Sequence, residues 1–206
     1  MSVYNVLGCR SLHIEEVSGN IDEVNENRNV KNKVIELLSA AGHTVYDCTD
    51  DTGRTQGQNL NNIKKKCNSH QADLNIAIEI NGEDNYKTSG VEVLNLNKET
   101  SQISDRVCNC IATTLGIENR GTIYTDKMYI LNNTDTPSVI IKCCFVISKV
   151  RYDKWDANKC AQAIVDGILD KNAKSSVSNV KRNNGMNYKN NMQQKDTNEL
   201  IKEDYD

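Results

Sequence analysis

Two ionisable residues stand inside apolar runs, where a charge is hard to accommodate. Glu79 lies near the end of Leu74-Asn-Ile-Ala-Ile-Glu-Ile80, and Lys142 interrupts Val139-Ile-Ile-Lys-Cys-Cys-Phe145. A carboxylate or ammonium buried in such a strand is costly unless something pairs with it. Losing the lysine charge instead would require deep burial and a large fall in its pKa. The three histidines, His13, His43 and His70, are candidate metal ligands. His43 follows a helix-ending Ala-Gly and His70 sits in a polar loop, which are ordinary surface settings. His13 lies four residues past Cys9 and is the one placed to share a site with it. A Cys9/His13 thiol hydrolase lacks any residue that would orient a base toward the thiol.

The eight cysteines show no Cys-x-x-Cys spacing; Cys108 and Cys110 are two apart, and Cys143 and Cys144 are adjacent. Free thiols are expected of a chain with no export signal, and in an apolar strand cysteine acts as a small hydrophobe.

The elements that must position these residues follow from periodicity. It switches between two and about 3.6, the mark of an α/β domain. Strands are expected at 3–7, 44–46, 72–80, 128–131 and 138–146, with a less regular one around Val91, Val93, Leu94 and Leu96. A helix is expected over 25–41, striped by Val30, Val34, Leu37 and Leu38 and closed by Gly42. Leu60, Ile63 and Cys67 space a second helix, and Ile103, Val107, Ile111 and Leu115 a third. A closing helix spans 155–169, with Ala161, Ile164, Val165 and Ile168 inward. The predicted fold is a three-layer α/β domain over residues 1–170: a twisted, mostly parallel mixed sheet with helices on both faces. Residues 171–206 form an Asn/Lys-rich polar tail whose apolar content is too small to offset chain entropy, so disorder is expected there.

A chain of 206 residues with 37% apolar content can bury one substantial core. Its net charge of −3 carries no footprint for nucleic acid. No apolar run approaches the roughly 18 residues that span a bilayer, so no membrane partner is expected. The first residues lack a basic segment followed by a long apolar one, so cytoplasmic residence is expected.

Several blocks, in order, resemble the zinc-dependent N-acetylmuramoyl-L-alanine amidases of phage endolysins and clostridial cell-wall hydrolases. Val6-Leu-Gly-Cys9 falls where that family has an apolar strand ending Gly-His. Ile21-Asp-Glu-Val-Asn-Glu-Asn-Arg28 resembles the ligand-bearing start of its first long helix. Ala72-Asp-Leu-Asn-Ile-Ala-Ile-Glu-Ile-Asn81 resembles the strand that ends Ser-Ile-His-x-Asn. Ser89-Gly-Val-Glu-Val93 and Asn119-Arg-Gly121 match later elements, and Thr136 to Phe145 matches the last core strand. The resemblance covers residues 3–170 and implies the amidase fold.

The resemblance also implies a site, and there the chain departs from the pattern. The family's His, Glu and His ligands fall on Cys9, Glu23 and Glu79, and its general-base glutamate falls on Lys142. Cys9 is open to two readings, a thiolate ligand or a small residue closing a strand. Glu23 is a retained ligand or an acid favouring the helix dipole, with Asp22 and Glu26 as near neighbours. A lysine about 5 Å from a divalent ion is repelled by roughly 6–7 kcal/mol at an effective dielectric of 20. Lys142 is therefore expected to replace the metal and neutralise Glu79 and Glu23.

Three functions compete. The leading one is a catalytically inactive family member with no metal cofactor, whose cleft binds a peptidoglycan fragment, a related ligand or a protein partner. The second is an active amidase with a Cys/Glu zinc set, Cys9–Glu23–Glu79 or Cys9–His13–Glu23. The third is an interaction module with a silent cleft. If the chain belongs to a phage lysis system, a holin would release it.

Overall fold

The computed structural model describes residues 1–14, 23–81, 90–145 and 155–171. Strand β1 (Val3–Gly8) is followed by helix α1 (Glu23–Ala40), β2 (Thr44–Asp47) and α2 (Gln56–Asn68). Then come β3 (Leu74–Asn81), β4 (Val91–Asn95), a 3₁₀ turn (Lys98–Thr100) and α3 (Ser101–Leu115). Strand β5 (Asn119–Tyr124), short helix α4 (Tyr129–Asn133), β6 (Ser138–Phe145) and α5 (Ala157–Ile168) complete the order. The expected polar tail lies outside the described residues beyond Lys171.

The six strands form one sheet in the order β2-β1-β3-β6-β4-β5. Every neighbouring pair is parallel except β4 and β6, which run antiparallel. The α/β architecture expected from periodicity, with helices on both faces, is the one observed.

Alternation along the strands builds two cores. On one face Val6, Ile76, Ile78, Val93, Val139 and Ile141 meet α1, α3 and α5 through Val30, Val34, Val107, Ile111 and Ile164. On the other face Leu7, Ala77, Leu94 and Ile140 meet Ile63 and Cys67 of α2 and Ile130 and Leu131 of α4. With both faces covered, all five residues of β4 are buried, which is why its sequence reads as irregular rather than alternating. The expected cap of α1 forms: the N–H groups of Gly42 and His43 donate to the carbonyls of Ser39 and Leu38. Asp156 caps α5, accepting from the Lys159 N–H at 3.0 Å.

Two local expectations fail. Residues 128–131 are not a strand; Tyr129–Asn133 form α4, with the adjacent Ile130 and Leu131 both turned into the second core. A run of four apolar residues fits either state by pattern alone, and packing against Leu94 and Ile140 decides it. The strand β5 was not anticipated, because Asn119–Tyr124 is a mostly half-buried or exposed edge with no apolar alternation to betray it.

Candidate functional site

The face of the sheet that carries α2 and α4 is stratified along the strand direction. Nearest the start of β1, β3 and β6 is a neutral polar layer. The Asn5 amide donates to the Cys67 carbonyl and, at 2.8 Å, to Asn75 Oδ1; the Asn75 amide donates to Ser138 Oγ at 2.9 Å. The next layer is the apolar set Leu7, Ala77, Ile140 and Leu94. Two residues further on, strict alternation brings Cys9, Glu79, Lys142 and Glu92 to the same face. Register fixes their order: Cys9 N–H donates to Ile78 O at 2.9 Å, Glu79 pairs with Lys142 across β3–β6, and Lys142 pairs with Glu92 across β6–β4.

Three of the four residues that the resemblance singled out therefore meet in one row. Glu23 opens α1, and its side chain lies outside the described residues. The structure adds a partner that the sequence reading did not name. Lys142 Nζ is 3.3 Å from Glu92 Oε1, and Arg120 Nη2 is 3.2 Å from Glu92 Oε2. The Glu92 side chain is 5% exposed and that of Lys142 20%, so one well-buried carboxylate serves two cations. Lys142 thus forms its ion pair with Glu92 and stands beside Glu79, whose pKa it lowers; the expected pairing with Glu23 falls on a side chain outside the described residues.

A β-bulge brings Arg120 into place. Val91 pairs with Asn119 but Glu92 with Gly121, so Arg120 is the extra residue in β5. Gly121 takes φ 86°, and its N–H donates to Asn119 Oδ1. That left-handed turn, unfavourable for a side-chain-bearing residue, swings the guanidinium toward Glu92.

On the other flank, the turn after β1 is clamped by α1. Asn27 donates to the Cys9 carbonyl at 2.9 Å, and Arg28 donates to the carbonyls of Cys9 and Arg10 while pairing with Asp51 at 2.6 Å. Gly8 permits that approach, since a Cβ there would stand 2.3 Å from Arg28 Nη1.

The electrostatics follow from burial. Burial raises the Glu79 pKa above the usual carboxylate range; Lys142 and Arg10 pull it down and Glu92 pushes it up. Burial, then the charge of Glu79, raises the Cys9 thiol well above its ordinary value against the pull of Arg28 and Arg10.

The histidines are not part of the row. His43 Nδ1 accepts the Ser2 N–H at 3.2 Å and its ring leans on Tyr4. His70 stacks on Tyr46 at 3.7 Å. His13 is exposed, and its N–H donates to Ser11 Oγ. The cysteines are all free, six of them buried. Cys48 and Cys67 are neighbouring thiols, as are Cys143 and Cys160.

This geometry can be set against known proteins. Residues 12–171 match the N-acetylmuramoyl-L-alanine amidase family. The chain belongs to that family. Two relatives of the amidase-family chain come from Clostridium perfringens. One, an uncharacterized protein of strain 13, is 26% identical over 144 residues, covering 68% of this chain and 42% of the relative. The other, an uncharacterized 38.4 kDa protein, is 28% identical over 188 residues, covering 84% of this chain and 53% of the relative. The chain thus spans about half the length of these relatives.

Solved structures share the fold. The catalytic domain of the CD27L endolysin, which targets Clostridia difficile, matches with a TM-score of 0.74 and 23% identity over 82% of this chain and 98% of that one. The CwlD amidase of Clostridioides difficile, in complex with the GerS lipoprotein, matches with a TM-score of 0.71 and 19% identity, covering 84% and 100%.

Proposed function

We propose that this amidase-family chain does not hydrolyse peptidoglycan and uses the family cleft to bind peptidoglycan fragments. The observation that carries this reading is the Lys142–Glu92 ion pair at 3.3 Å, set in one row with Glu79 and Cys9. Zinc chemistry needs deprotonated donors around one open coordination position. Here the Cys9 thiol and the Glu79 carboxyl are both held toward their protonated forms by burial, and an ammonium is the neighbour of Glu79. Among the described residues, no three His, Cys, Asp or Glu side chains gather as a ligand set. An ammonium ion-paired to Glu92 and standing beside Glu79 makes the described donors a poor set for a divalent ion.

The test is zinc content beside a wall-lysis assay and muropeptide titration. The purified chain should carry well under one zinc, leave a peptidoglycan suspension turbid and still bind soluble muropeptides. Restoring only the base, Lys142→Glu, should change little. The triple variant Cys9→His, Glu79→His, Lys142→Glu should take up zinc near stoichiometrically, because it supplies two imidazoles and removes the opposing cation. Zinc near one per chain with chelator-sensitive lysis in the wild type would establish the active Cys/Glu alternative instead. Absence of muropeptide binding would leave the interaction module.

A further inference from the structure

Of the two neighbouring thiol pairs, Cys48–Cys67 is held together by the backbone around it. The Cys48 N–H donates to the Val6 carbonyl at 2.9 Å, and the Cys67 carbonyl accepts from the Asn5 amide at 3.1 Å. Adjacent residues of β1 therefore hold the two cysteines side by side. Their sequence neighbours are joined as well, since Lys66 Nζ donates to the Thr49 carbonyl. Both side chains are fully buried in the core on the α2/α4 face. Cys48 directly follows β2, which pairs with β1 alone at the sheet edge. Cys143, by contrast, lies in β6, with a strand on each side, in the core that α5 and its Cys160 cover. The thiols of the first pair are also unlike each other. The adjacent Cys67 thiol, working against burial and with help from the Lys66 charge, holds the Cys48 pKa below the ordinary thiol value. Cys48 and burial push the Cys67 thiol far up. Cys48 is the member placed to react as a thiolate, and Cys67 the member that keeps its proton.

We propose that Cys48 and Cys67 are an oxidation site, which a small hydroperoxide converts to a disulfide within the folded chain. Local opening at the edge strand, whose hydrogen bonds run to one neighbour only, admits the oxidant. The Cys48 thiolate attacks the peroxide: an S–O bond forms, the O–O bond breaks, and the leaving oxygen takes up a proton as alcohol or water. Sulfur is oxidised by two electrons and the peroxide is reduced. Cys67 then attacks the Cys48 sulfenic acid: the S–S bond forms, the S–O bond breaks, and water leaves with the Cys67 proton. The new bond ties the end of β2 to the last turn of α2. It anchors the base of the segment Thr49–Asp51, whose Asp51 pairs with Arg28 at 2.6 Å. Arg28 in turn holds the carbonyls of Cys9 and Arg10, so the oxidised pair stiffens the support of the turn that follows β1.

The experiment treats the reduced full chain with hydrogen peroxide under native conditions, blocks the remaining thiols with an alkylating agent and maps the peptides by mass spectrometry. A Cys48–Cys67 linked peptide, lighter by two hydrogens than the sum of its parts, should appear while Cys143 and Cys160 are still alkylated. The thermal midpoint should rise by about 5–10 °C, as expected for closing a loop of this length in a domain of this size, and should return on reduction with dithiothreitol. Cys67→Ser should stop the reaction at a Cys48 sulfenic acid, trapped by dimedone, whereas Cys48→Ser should leave Cys67 unmodified. Linkage of Cys143 to Cys160 as fast as Cys48 to Cys67 overturns the proposal. So does a linked peptide that forms only in denaturant, or a midpoint that falls on oxidation. Dimedone labelling of Cys67 in Cys48→Ser at the rate of Cys48 in Cys67→Ser overturns the assigned roles. If either serine variant does not fold, the wild-type peptide map and midpoint decide the matter alone.

Discussion

The two polar layers on the α2/α4 face share the same three strands but solve burial differently. The Asn5–Asn75–Ser138 layer is neutral and is held by hydrogen bonds between side chains and to the Cys67 and Thr136 carbonyls. The Cys9–Glu79–Lys142–Glu92 row is ionisable, and its members depend on each other's charge state. Between them lies one apolar layer, Leu7, Ala77, Ile140 and Leu94. A neutral layer tolerates loss of a partner at the level of one or two hydrogen bonds. A charged row does not, because removing one charge leaves its counterion buried. Two layers of one fold thus differ in how sharply they respond to a single substitution.

The largest effect should come from Lys142→Met. It leaves Glu92, 5% exposed, with Arg120 alone, and the expected loss is about 2–4 kcal/mol, below the range for a fully buried pair because Lys142 is partly solvated. Chemical denaturation measures it. Lys142→Met combined with Glu92→Leu should recover part of the loss, the recovery being limited by Arg120, which then lacks its carboxylate. Strict additivity in the double-mutant cycle would show that the pair contributes no coupling. A cycle with Glu79 in place of Glu92 should show the weaker coupling of the two.

In the neutral layer, Asn75→Ala removes the donor to Ser138 and the acceptor for Asn5, both within a buried site. A loss of about 2–3 kcal/mol is expected, consistent with stranding two buried polar groups. The distinguishing feature is pH: this loss should be flat between about pH 5 and 9, since the groups involved do not titrate there. A pH-dependent Asn75→Ala penalty would mean that the two layers communicate through the apolar one.

Much of this is legible in the sequence, and the reasons are local. β3 announces itself because Leu74, Ile76, Ile78 and Ile80 all face one core while Asn75, Ala77 and Glu79 face the other side. The charges at Glu79 and Lys142 stand out because they break apolar runs. Glu92 breaks a run in the same way, in Val91-Glu-Val-Leu-Asn95, but a strand covered on both faces has no alternation against which the break is measured. Arg120 was hidden for a different reason: its role depends on a bulge one residue long, and a register shift leaves no periodic trace. Arg28 clamps the turn through the Cys9 and Arg10 carbonyls as well as through Asp51, and partnerships with main-chain oxygens are not encoded in residue types. Helix α4 differs from the expected strand because four apolar residues carry too little pattern to separate the two periods.

The smallest effect, and the most discriminating, concerns Glu79. Its folded pKa is raised by burial, so the folded state binds this proton more tightly than the unfolded chain does. The stability associated with the protonated carboxyl is fully present below the unfolded carboxyl value of about 4.3, and is lost as pH rises through the higher folded value. Glu79→Gln keeps the shape and removes the titration. The variant should lack that decline and should therefore be modestly more stable than the wild type at neutral pH, with the two curves converging in acid. Thermal midpoints collected across about pH 4 to 8, the span in which a raised carboxyl titrates, suffice for the comparison. The sign of the neutral-pH difference settles which carboxylate Lys142 depends on. If Glu79 rather than Glu92 were its principal counterion, Glu79→Gln would destabilise the fold at pH 7, and the gap would close in acid from the opposite side.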